Sequence, residues 1–332
     1  MTSFSYANPK TESELLNLLS ESTGSTALLA GGTDLVPLLR AQLVSPDRVV
    51  DLREVETMHG ITTDADGLWI GALTTLEDLN ASELLDSYAS VKQVVAGIHS
   101  IQVQSSGTLG GDLCLLPNCW YFRNGYGLLG LDKGESLPAT GDNRYHAVFG
   151  NKGPAKFVSA SRLAPALIAW GAKVRIIGPK ADKPELVPLE LLFQTPKTNT
   201  QGVTTLKPGQ LVSHVWLPKA GLEQVSGSYE ALQLQGLDWP LAACSATLEL
   251  AGNVVRQARI VLGHVAPTPW EVPHAASSLI GQPVNESTAA RAAELAVENA
   301  TPLSHNEYKV QIAKAAVKRS ILRAAGLLEG GI

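Results

Sequence analysis

Hydrophobic residues recur at helical spacing in several segments of the chain. In residues 11–22 four leucines form an apolar stripe. Thr11 is suited to cap this helix, because its hydroxyl can accept a hydrogen bond from a backbone N–H of the first turn. The same spacing predicts helices over residues 84–98, 161–172, 286–300 and 306–327, with Gly330-Gly331 marking the end of the last one.

Strands are predicted where apolar residues run continuously or alternate with polar ones. Alternation in the C-terminal third, over residues 228–235, 241–250 and 255–265, is typical of antiparallel strands. A block of strands followed by helices indicates an α+β domain, which begins near residues 218–226. Further strands are predicted over residues 27–30, 48–54, 173–179 and 210–218. Residues 67–79 are predicted to form a strand and then a helix capped by Thr74 or Thr75. Residues 186–193 are predicted to form a short helical piece.

Composition narrows the class of protein. The 332 residues are 45% hydrophobic and 17% charged, which is typical of a globular protein with two or three domains. A net charge of −5 gives no basic excess for nucleic-acid binding. Neither an apolar run long enough to span a membrane nor a signal peptide is present. With only three cysteines, we expect a reducing, cytoplasmic location, and export within a complex whose partner carries a signal stays open.

Two glycine-containing segments are candidates for ligand binding. AGGTDL, residues 30–35, lies between a predicted strand and a predicted helix, and GTLGGDL, residues 107–113, has similar residues. Glycines let the backbone approach a ligand closely, and unpaired N–H groups at a helix start favour a phosphate or diphosphate. Neither segment matches the Rossmann or P-loop pattern. An extended dinucleotide would need two such segments.

Cys114 and Cys119 lie just after the second segment, at the start of a long glycine-rich stretch over residues 112–156. Tetrahedral zinc requires four ligands, and no second pair of ligands is evident. The spacing is also unusual for a redox disulfide. Loops of this length inside a compact domain are usually functional.

Several motifs in order carry a resemblance to a known family. ALLAGGTDLVPLL, QVQSSGTLGGDLC and SRLAPALIAWGAKVRI resemble the FAD-contacting stretches of the flavin subunit of molybdenum hydroxylases, and LDWPLAACSATLEL and RIVLGHVAPTPWEV resemble its C-terminal domain. The resemblance implies an α+β fold of the vanillyl-alcohol-oxidase (PCMH) type. It implies FAD-binding subdomains over residues 1–56 and 57–222, the second including loop 112–156, and over residues 223–332 an α+β domain of antiparallel sheet with helices, like that of the CO dehydrogenase flavoprotein.

The same resemblance implies roles for individual residues. The first glycine segment and Thr108 would contact the diphosphate and ribityl chain of FAD, Gly111 and Asp112 would lie beside it, and Ser161 would lie near the flavin or its phosphates, followed by Arg162 and Leu163. The predicted residues of the first segment are Ala27, Leu28, Leu29, Ala30, Gly31, Gly32, Thr33, Asp34 and Leu35.

The family also implies cofactors and partners. A molybdenum cofactor in a large subunit and two [2Fe-2S] clusters in a small subunit would deliver electrons to FAD, which would pass them to NAD, oxygen or another acceptor. Some members carry a [4Fe-4S] cluster in a loop like residues 112–156. Cys119 matches the first cysteine of that loop, but none follows it before Cys244, so we expect no cluster in this chain.

Departures from the family pattern leave alternatives open. Arg162 stands where the family often has aspartate, and Ala231 and Gln233 stand where it often has lysine and arginine. We therefore also considered that Arg162 takes over a charge role near the flavin, and that the chain is a scaffold that has lost FAD. Another alternative is a stand-alone reductase of the UDP-N-acetylenolpyruvoylglucosamine type, which has the same FAD architecture. Trp239 is predicted in the core and Lys309 on a solvated helix face.

Overall fold

The structure is a computed structural model that describes residues 3–21, 24–179, 184–234 and 238–328. Residues 22, 235 and Gly330-Gly331, which fall in predicted elements, lie outside this part of the chain. In the described residues no helix is both long and apolar enough to cross a membrane.

The strands form three main sheets and one small hairpin. Three parallel strands make the first sheet, in the order β1-β3-β2, and antiparallel strands make the second, in the order β4-β5-β10-β8-β9. The third is the antiparallel meander β11-β12-β13-β14, and β6-β7 is the hairpin. The strands are β1 Ser5–Ala7, β2 Thr26–Leu29, β3 Arg48–Asp51, β4 Ile61–Thr63, β5 Gly67–Gly71, β6 Leu131–Asp132, β7 Glu135–Ser136, β8 Lys173–Ile177, β9 Glu185–Pro188, β10 Leu211–Pro218, β11 Gln224–Ala231, β12 Ala242–Ala251, β13 Val254–Gly263 and β14 Trp270–Glu271.

Most helices are short, and only α11 and α12 exceed ten residues in the described chain. Thr11 caps α1 as predicted, and Thr75 caps α3 in a reciprocal capping box with Asp78. The helices are α1 Glu12–Ser20, α2 Leu35–Arg40, α3 Leu76–Ala81, α4 Ala89–Ala96, α5 Ile101–Ser106, α6 Leu109–Leu113, α7 Trp120–Arg123, α8 Leu137–Thr140, α9 Ala164–Ala169, α10 Pro273–Ser277, α11 Glu286–Val297 and α12 Tyr308–Ala324.

Two large hydrophobic cores hold the sheets and helices together. One surrounds α4, α9 and the five-stranded sheet, and the other lies between the C-terminal sheet and α10–α12. Gly227 of β11 lies directly against the backbone of α12, while Ser226 on the opposite face accepts a hydrogen bond from the N–H of Ser90 in α4. The C-terminal sheet therefore has helices on both faces, and one face packs against the FAD-type region that precedes it.

Several predicted elements differ from the structure. Residues 84–98 are not one helix, because a 3-10 turn at Glu83–Leu85 precedes α4. Residues 186–193, predicted as helical, begin as strand β9, and Pro188 starts a 3-10 turn at Leu189–Leu192. The helix predicted over 161–172 covers only α9. The long stretch 112–156 includes helices α7 and α8 and the β6-β7 hairpin.

Two predictions about single residues are wrong. Lys309 is fully buried, not on a solvated face, and its Nζ donates hydrogen bonds to the carbonyl oxygens of Tyr145, His146 and His264 at 3.1, 3.1 and 2.9 Å. Trp239, predicted in the core, is 36% exposed. The domain boundaries at residues 56/57 and 222/223 stay predictions. They fall between β3 and β4 and between β10 and β11.

Candidate cofactor site

A cavity of about 320 Å³ lies where the first glycine segment meets α5, α6 and the connection between β11 and β12. Its walls are mostly apolar, with a few charged and hydroxyl side chains, which is the usual character of a cofactor site. The lining residues are Leu28, Ala30, Gly31, Gly32, Thr33, Asp34, Leu35, Leu38, Leu76, Ile98, Ser100, Val103, Gly107, Thr108, Gly111, Asp112, Cys114, Leu115, Leu116, Arg162, Asp238 and Trp239.

The first glycine segment, whose residues line this cavity, has four successive backbone N–H groups without a partner in the described protein. Across the described chain, the N–H groups of Gly31, Gly32, Thr33 and Asp34 find no hydrogen-bond acceptor in the protein. Gly32 has φ +73°, a left-handed conformation that glycine adopts without strain. Successive free N–H groups in such a turn form a concave site for an anion, so this segment fits a diphosphate.

Gly31 brings the two glycine segments together. A Cβ built on Gly31 would lie 1.6 Å from the carbonyl oxygen of Ser106, the last residue of α5. Only glycine permits this approach, since real Cβ atoms do not come so close to another atom. The next residues, Gly107 and Thr108, line the cavity beside the first segment.

The second glycine segment differs from its prediction. Residues 109–113 form the short helix α6, and Thr108 caps it by accepting a hydrogen bond from the N–H of Gly111 at 3.1 Å. The N–H groups of Leu109 and Gly110 donate to the carbonyl oxygens of Thr74 and Ala72 at 3.0 and 2.8 Å. The protein itself therefore occupies these three donors, whereas the N–H of Thr108 has no acceptor among the described residues.

Asp112 holds residues 161–163, the segment ahead of α9, against the cavity. Its buried carboxylate accepts hydrogen bonds from the N–H groups of Arg162 and Leu163, both at 3.1 Å, and from the hydroxyl of Ser161. Burial raises the pKa of Asp112, and these hydrogen bonds oppose the rise. Ser161 thus positions Asp112 and does not line the cavity itself.

Arg162 does not offer a free cation to a ligand. Its guanidinium makes a bidentate ion pair with Glu230 of β11, with Nε 3.0 Å from Oε1, and its Nη2 also donates to the carbonyl oxygen of Gly97 at 3.0 Å. Both side chains are buried. Glu230 of the C-terminal sheet neutralises the guanidinium, and the charge role of Arg162 near the flavin stays a hypothesis.

The structure brings together most, but not all, of the predicted site residues. The described cavity lining does not include Ala27, Leu29, Ser161 or Leu163. The lining includes eleven of the fifteen predicted residues: Leu28, Ala30, Gly31, Gly32, Thr33, Asp34, Leu35, Thr108, Gly111, Asp112 and Arg162.

Other lining residues escaped the sequence analysis. Ile98 and Ser100 lie between α4 and α5, and no motif marks them. Val103 lies in QVQSSGTLGGDLC, which carries part of the family resemblance. Asp238 and Trp239 belong to LDWPLAAC, which carries part of the family resemblance. That motif was a usable signal, but an apolar context favoured a core position for Trp239.

The cysteines of the long loop differ from each other. Cys114 lines the cavity and is exposed. Cys119 lies outside, with its Sγ 3.2 Å from Nε2 of His146. Burial raises the pKa of Cys119 and lowers that of His146 to about 4, so the pair is neutral near pH 7. Within the described ranges, no group of three or more histidine, cysteine, aspartate or glutamate residues could hold a metal ion.

Comparison with known proteins decides the family. Residues 2–220 match the family model of the FAD binding domain in molybdopterin dehydrogenase. The chain belongs to the FAD-binding subunits of the molybdenum hydroxylase family. Residues 227–324 match the CO dehydrogenase flavoprotein C-terminal domain. The chain is accordingly an oxidoreductase subunit.

Individual relatives cover nearly the full length of this molybdenum hydroxylase subunit. It is 25% identical over 323 residues to the carbon monoxide dehydrogenase medium chain of Hydrogenophaga pseudoflava, covering 96% of both chains. It is 26% identical over 325 residues to an aldehyde oxidoreductase FAD-binding subunit of Escherichia coli, covering 95% of this chain and 96% of the relative.

Solved structures confirm the predicted α+β fold class. Carbon monoxide dehydrogenase from Hydrogenophaga pseudoflava matches with a TM-score of 0.77 at 22% identity, over 99% of each chain. Quinoline 2-oxidoreductase from Pseudomonas putida 86 matches with a TM-score of 0.76 at 25% identity, again over 99% of each chain.

Proposed function

We propose that the cavity binds FAD and that the chain is the electron-transfer subunit of a multi-subunit molybdenum hydroxylase. The observation that carries this proposal is the row of unpaired N–H groups at Gly31–Asp34 on the cavity wall. These donors would hold the FAD diphosphate without any cationic side chain. Apolar side chains such as Leu28, Ile98 and Val103 offer a surface for the flat parts of the cofactor.

The protein would position the cofactor and leave the redox chemistry to it. When bound, FAD would take electrons from [2Fe-2S] clusters of a small subunit, which receive them from a molybdenum cofactor in a large subunit, and pass them to NAD, oxygen or another acceptor. Gly31 would hold the turn close to α5, and Asp112 would hold the segment ahead of α9. We further propose that FAD contacts Gly111 through van der Waals surface, since its N–H group is paired with the hydroxyl of Thr108. Thr108, which lines the cavity, would contact FAD through its backbone or side chain.

The other functions have less support. A stand-alone reductase of the UDP-N-acetylenolpyruvoylglucosamine type is disfavoured, because residues 227–324 match a C-terminal domain described for a CO dehydrogenase flavoprotein. A scaffold without FAD would have no need for a turn with unpaired N–H groups beside an apolar cavity.

The visible absorption spectrum of the purified chain tests this proposal, first alone and then co-expressed with its genomic neighbours. We expect the two flavin bands from the chain alone, without the broad absorbance of iron-sulfur charge transfer, and co-purification of a molybdenum subunit and an iron-sulfur subunit. A broad brown absorbance from this chain alone would contradict the absence of a cluster. A colourless chain even in the assembled complex would overturn the FAD assignment.

A further inference from the structure

The charges around the cavity do not favour an anionic ligand. Three carboxylates line it, from Asp34, Asp112 and Asp238, and the one cation among the described lining residues is Arg162. Glu230 already neutralises Arg162. The diphosphate of FAD carries negative charge, and like charges a few ångströms apart repel. Of these three residues, Asp34 belongs to the same turn as the unpaired N–H groups.

Arg123, outside the cavity, compensates for Asp34. It ends helix α7 in the long loop, and its Nη2 donates to Oδ1 of Asp34 at 2.8 Å. Its guanidinium is held in place by the carbonyl oxygens of Pro117, 3.1 Å from Nε, and Leu116, 3.3 Å from Nη2. About a fifth of the Arg123 side chain and a quarter of the Asp34 side chain are exposed, so water weakens this ion pair only in part.

The contact also determines how the glycine turn ends. Asp34 occupies the N-cap position of α2, where an aspartate usually accepts a hydrogen bond from the next backbone N–H groups. Its side chain makes no such capping bond and reaches Arg123 instead. The backbone N–H of Asp34 is at the same time one of the four unpaired donors. Arg123 therefore fixes the end of the segment that presents those donors.

We infer that Arg123 is a positioning residue for the FAD diphosphate, acting through Asp34. It cancels the charge of the Asp34 carboxylate and anchors the turn that carries the free N–H groups. Through Arg123, the loop of residues 112–156 helps to form the cofactor site. This contribution does not require an iron-sulfur cluster in the loop. This inference rests on the proposed binding of FAD.

A charge-based double mutant separates this role from simple packing. The dissociation constant of FAD is measured by flavin fluorescence on the full-length chain after removal of the cofactor. We expect R123Q to bind FAD about tenfold more weakly, equivalent to about 1.4 kcal/mol. The double variant R123Q/D34N is expected to return to within roughly threefold of wild type, because the uncompensated carboxylate is gone. Salt should reduce the defect of R123Q, since it screens repulsion.

Arg144→Gln is the matched control. Arg144 is another arginine of the same loop, paired with Asp142 at 2.7 Å, and it is not among the described lining residues. The FAD affinity of this variant should therefore equal that of wild type. The melting temperatures of the cofactor-free proteins show whether each variant folds.

The possible results lead to different conclusions. Equal FAD affinity of wild type and R123Q would overturn the inference while leaving the proposed function intact. Equal weakening in R123Q and R123Q/D34N, independent of salt, would also overturn it, because the loss would then come from packing. Wild-type protein that binds no FAD would overturn the proposed function itself.

Discussion

Arg162 and Glu230 form a buried ion pair that ties the segment ahead of α9 to strand β11, across the cavity wall. Two hydrogen bonds join the guanidinium to the carboxylate, and a third reaches the carbonyl oxygen of Gly97. This chain has a cation at position 162 and an anion at position 230, so the two buried charges neutralise each other.

Removing one member of this pair is predicted to be far more harmful than removing both. Glu230→Leu leaves a buried guanidinium without its counter-charge and should lower the free energy of unfolding by about 3–5 kcal/mol. The double variant Arg162→Met/Glu230→Leu should lose less than about half as much, since no buried charge remains. Urea unfolding of the three proteins measures these differences. Equal losses in the single and double variants would mean that the pairing itself contributes little.

Gly31→Ala is predicted to disrupt the cofactor site. Its Cβ would lie 1.6 Å from the carbonyl oxygen of Ser106, which belongs to the backbone and cannot rotate away. We expect FAD binding to weaken by at least about a hundredfold, because the turn must separate from α5. Gly153→Ala is the control, since the added Cβ there meets no atom within 4 Å. Near-normal affinity of Gly31→Ala, measured by flavin fluorescence, would show that this contact is dispensable.

Lys309→Met is predicted to destabilise the protein although methionine has a similar size. The carbonyl oxygens of Tyr145 and His264 would lose the donor that Lys309 supplies, and that of His146 would keep only the bond from Nδ2 of Asn306. We expect a loss of about 2–4 kcal/mol in the free energy of unfolding. Lys318→Met on the same helix removes only a solvent-accessible pair with Glu286 and should cost less than about 1 kcal/mol. Similar losses for the two variants in urea unfolding would argue against a structural role for the buried ammonium.

The free energy of unfolding is predicted to fall as the pH decreases below the ordinary histidine pKa. Burial lowers the pKa of His264 to about 3, and burial with the nearby charge of Lys309 lowers that of His146 to about 4. Between pH 6.5 and these values the unfolded chain binds protons that the folded protein does not. The contribution of the two histidines to stability is therefore full above about pH 6.5 and is lost as the pH falls toward 3.

His264→Asn tests the larger of these two contributions. Asparagine tolerates the left-handed backbone at this position, where φ is +59°. The difference in unfolding free energy between about pH 7.5 and about pH 5 should be smaller in the variant by about 1–2 kcal/mol. An unchanged difference would assign the acid sensitivity to carboxylates instead.

The sequence predicts the parts of the fold that depend on local pattern. Helices α1, α11 and α12 follow from apolar spacing, and the strands of the C-terminal sheet follow from alternation. Residues 186–193 were wrongly predicted because LVPLELLF mixes both patterns. Pairing of β9 with β8, rather than local preference, decides that its first half is a strand.

The candidate site was predictable only where a motif marks it. The residue types at positions 30–35 predict the glycine turn, and the family resemblance predicts Thr108 and Asp112 as site residues. The partners of charged residues did not follow from the sequence. Arg162 meets Glu230 from 68 positions away, and Lys309 meets carbonyl oxygens up to 164 positions away. Such acceptors come from tertiary structure, so a periodic helix pattern placed Lys309 on the wrong face.

The packing of the C-terminal sheet against α4 and α9 limits which segments could be exchanged between related chains. The loop between β10 and β11 is short and looks like a convenient crossover point for exchanging the C-terminal third between relatives. A chimaera joined there would have to inherit Glu230 together with Arg162, and Asp238 and Trp239 together with the glycine turn. The cofactor pocket is therefore a property of the whole polypeptide, and its two halves are expected to be inherited as one unit.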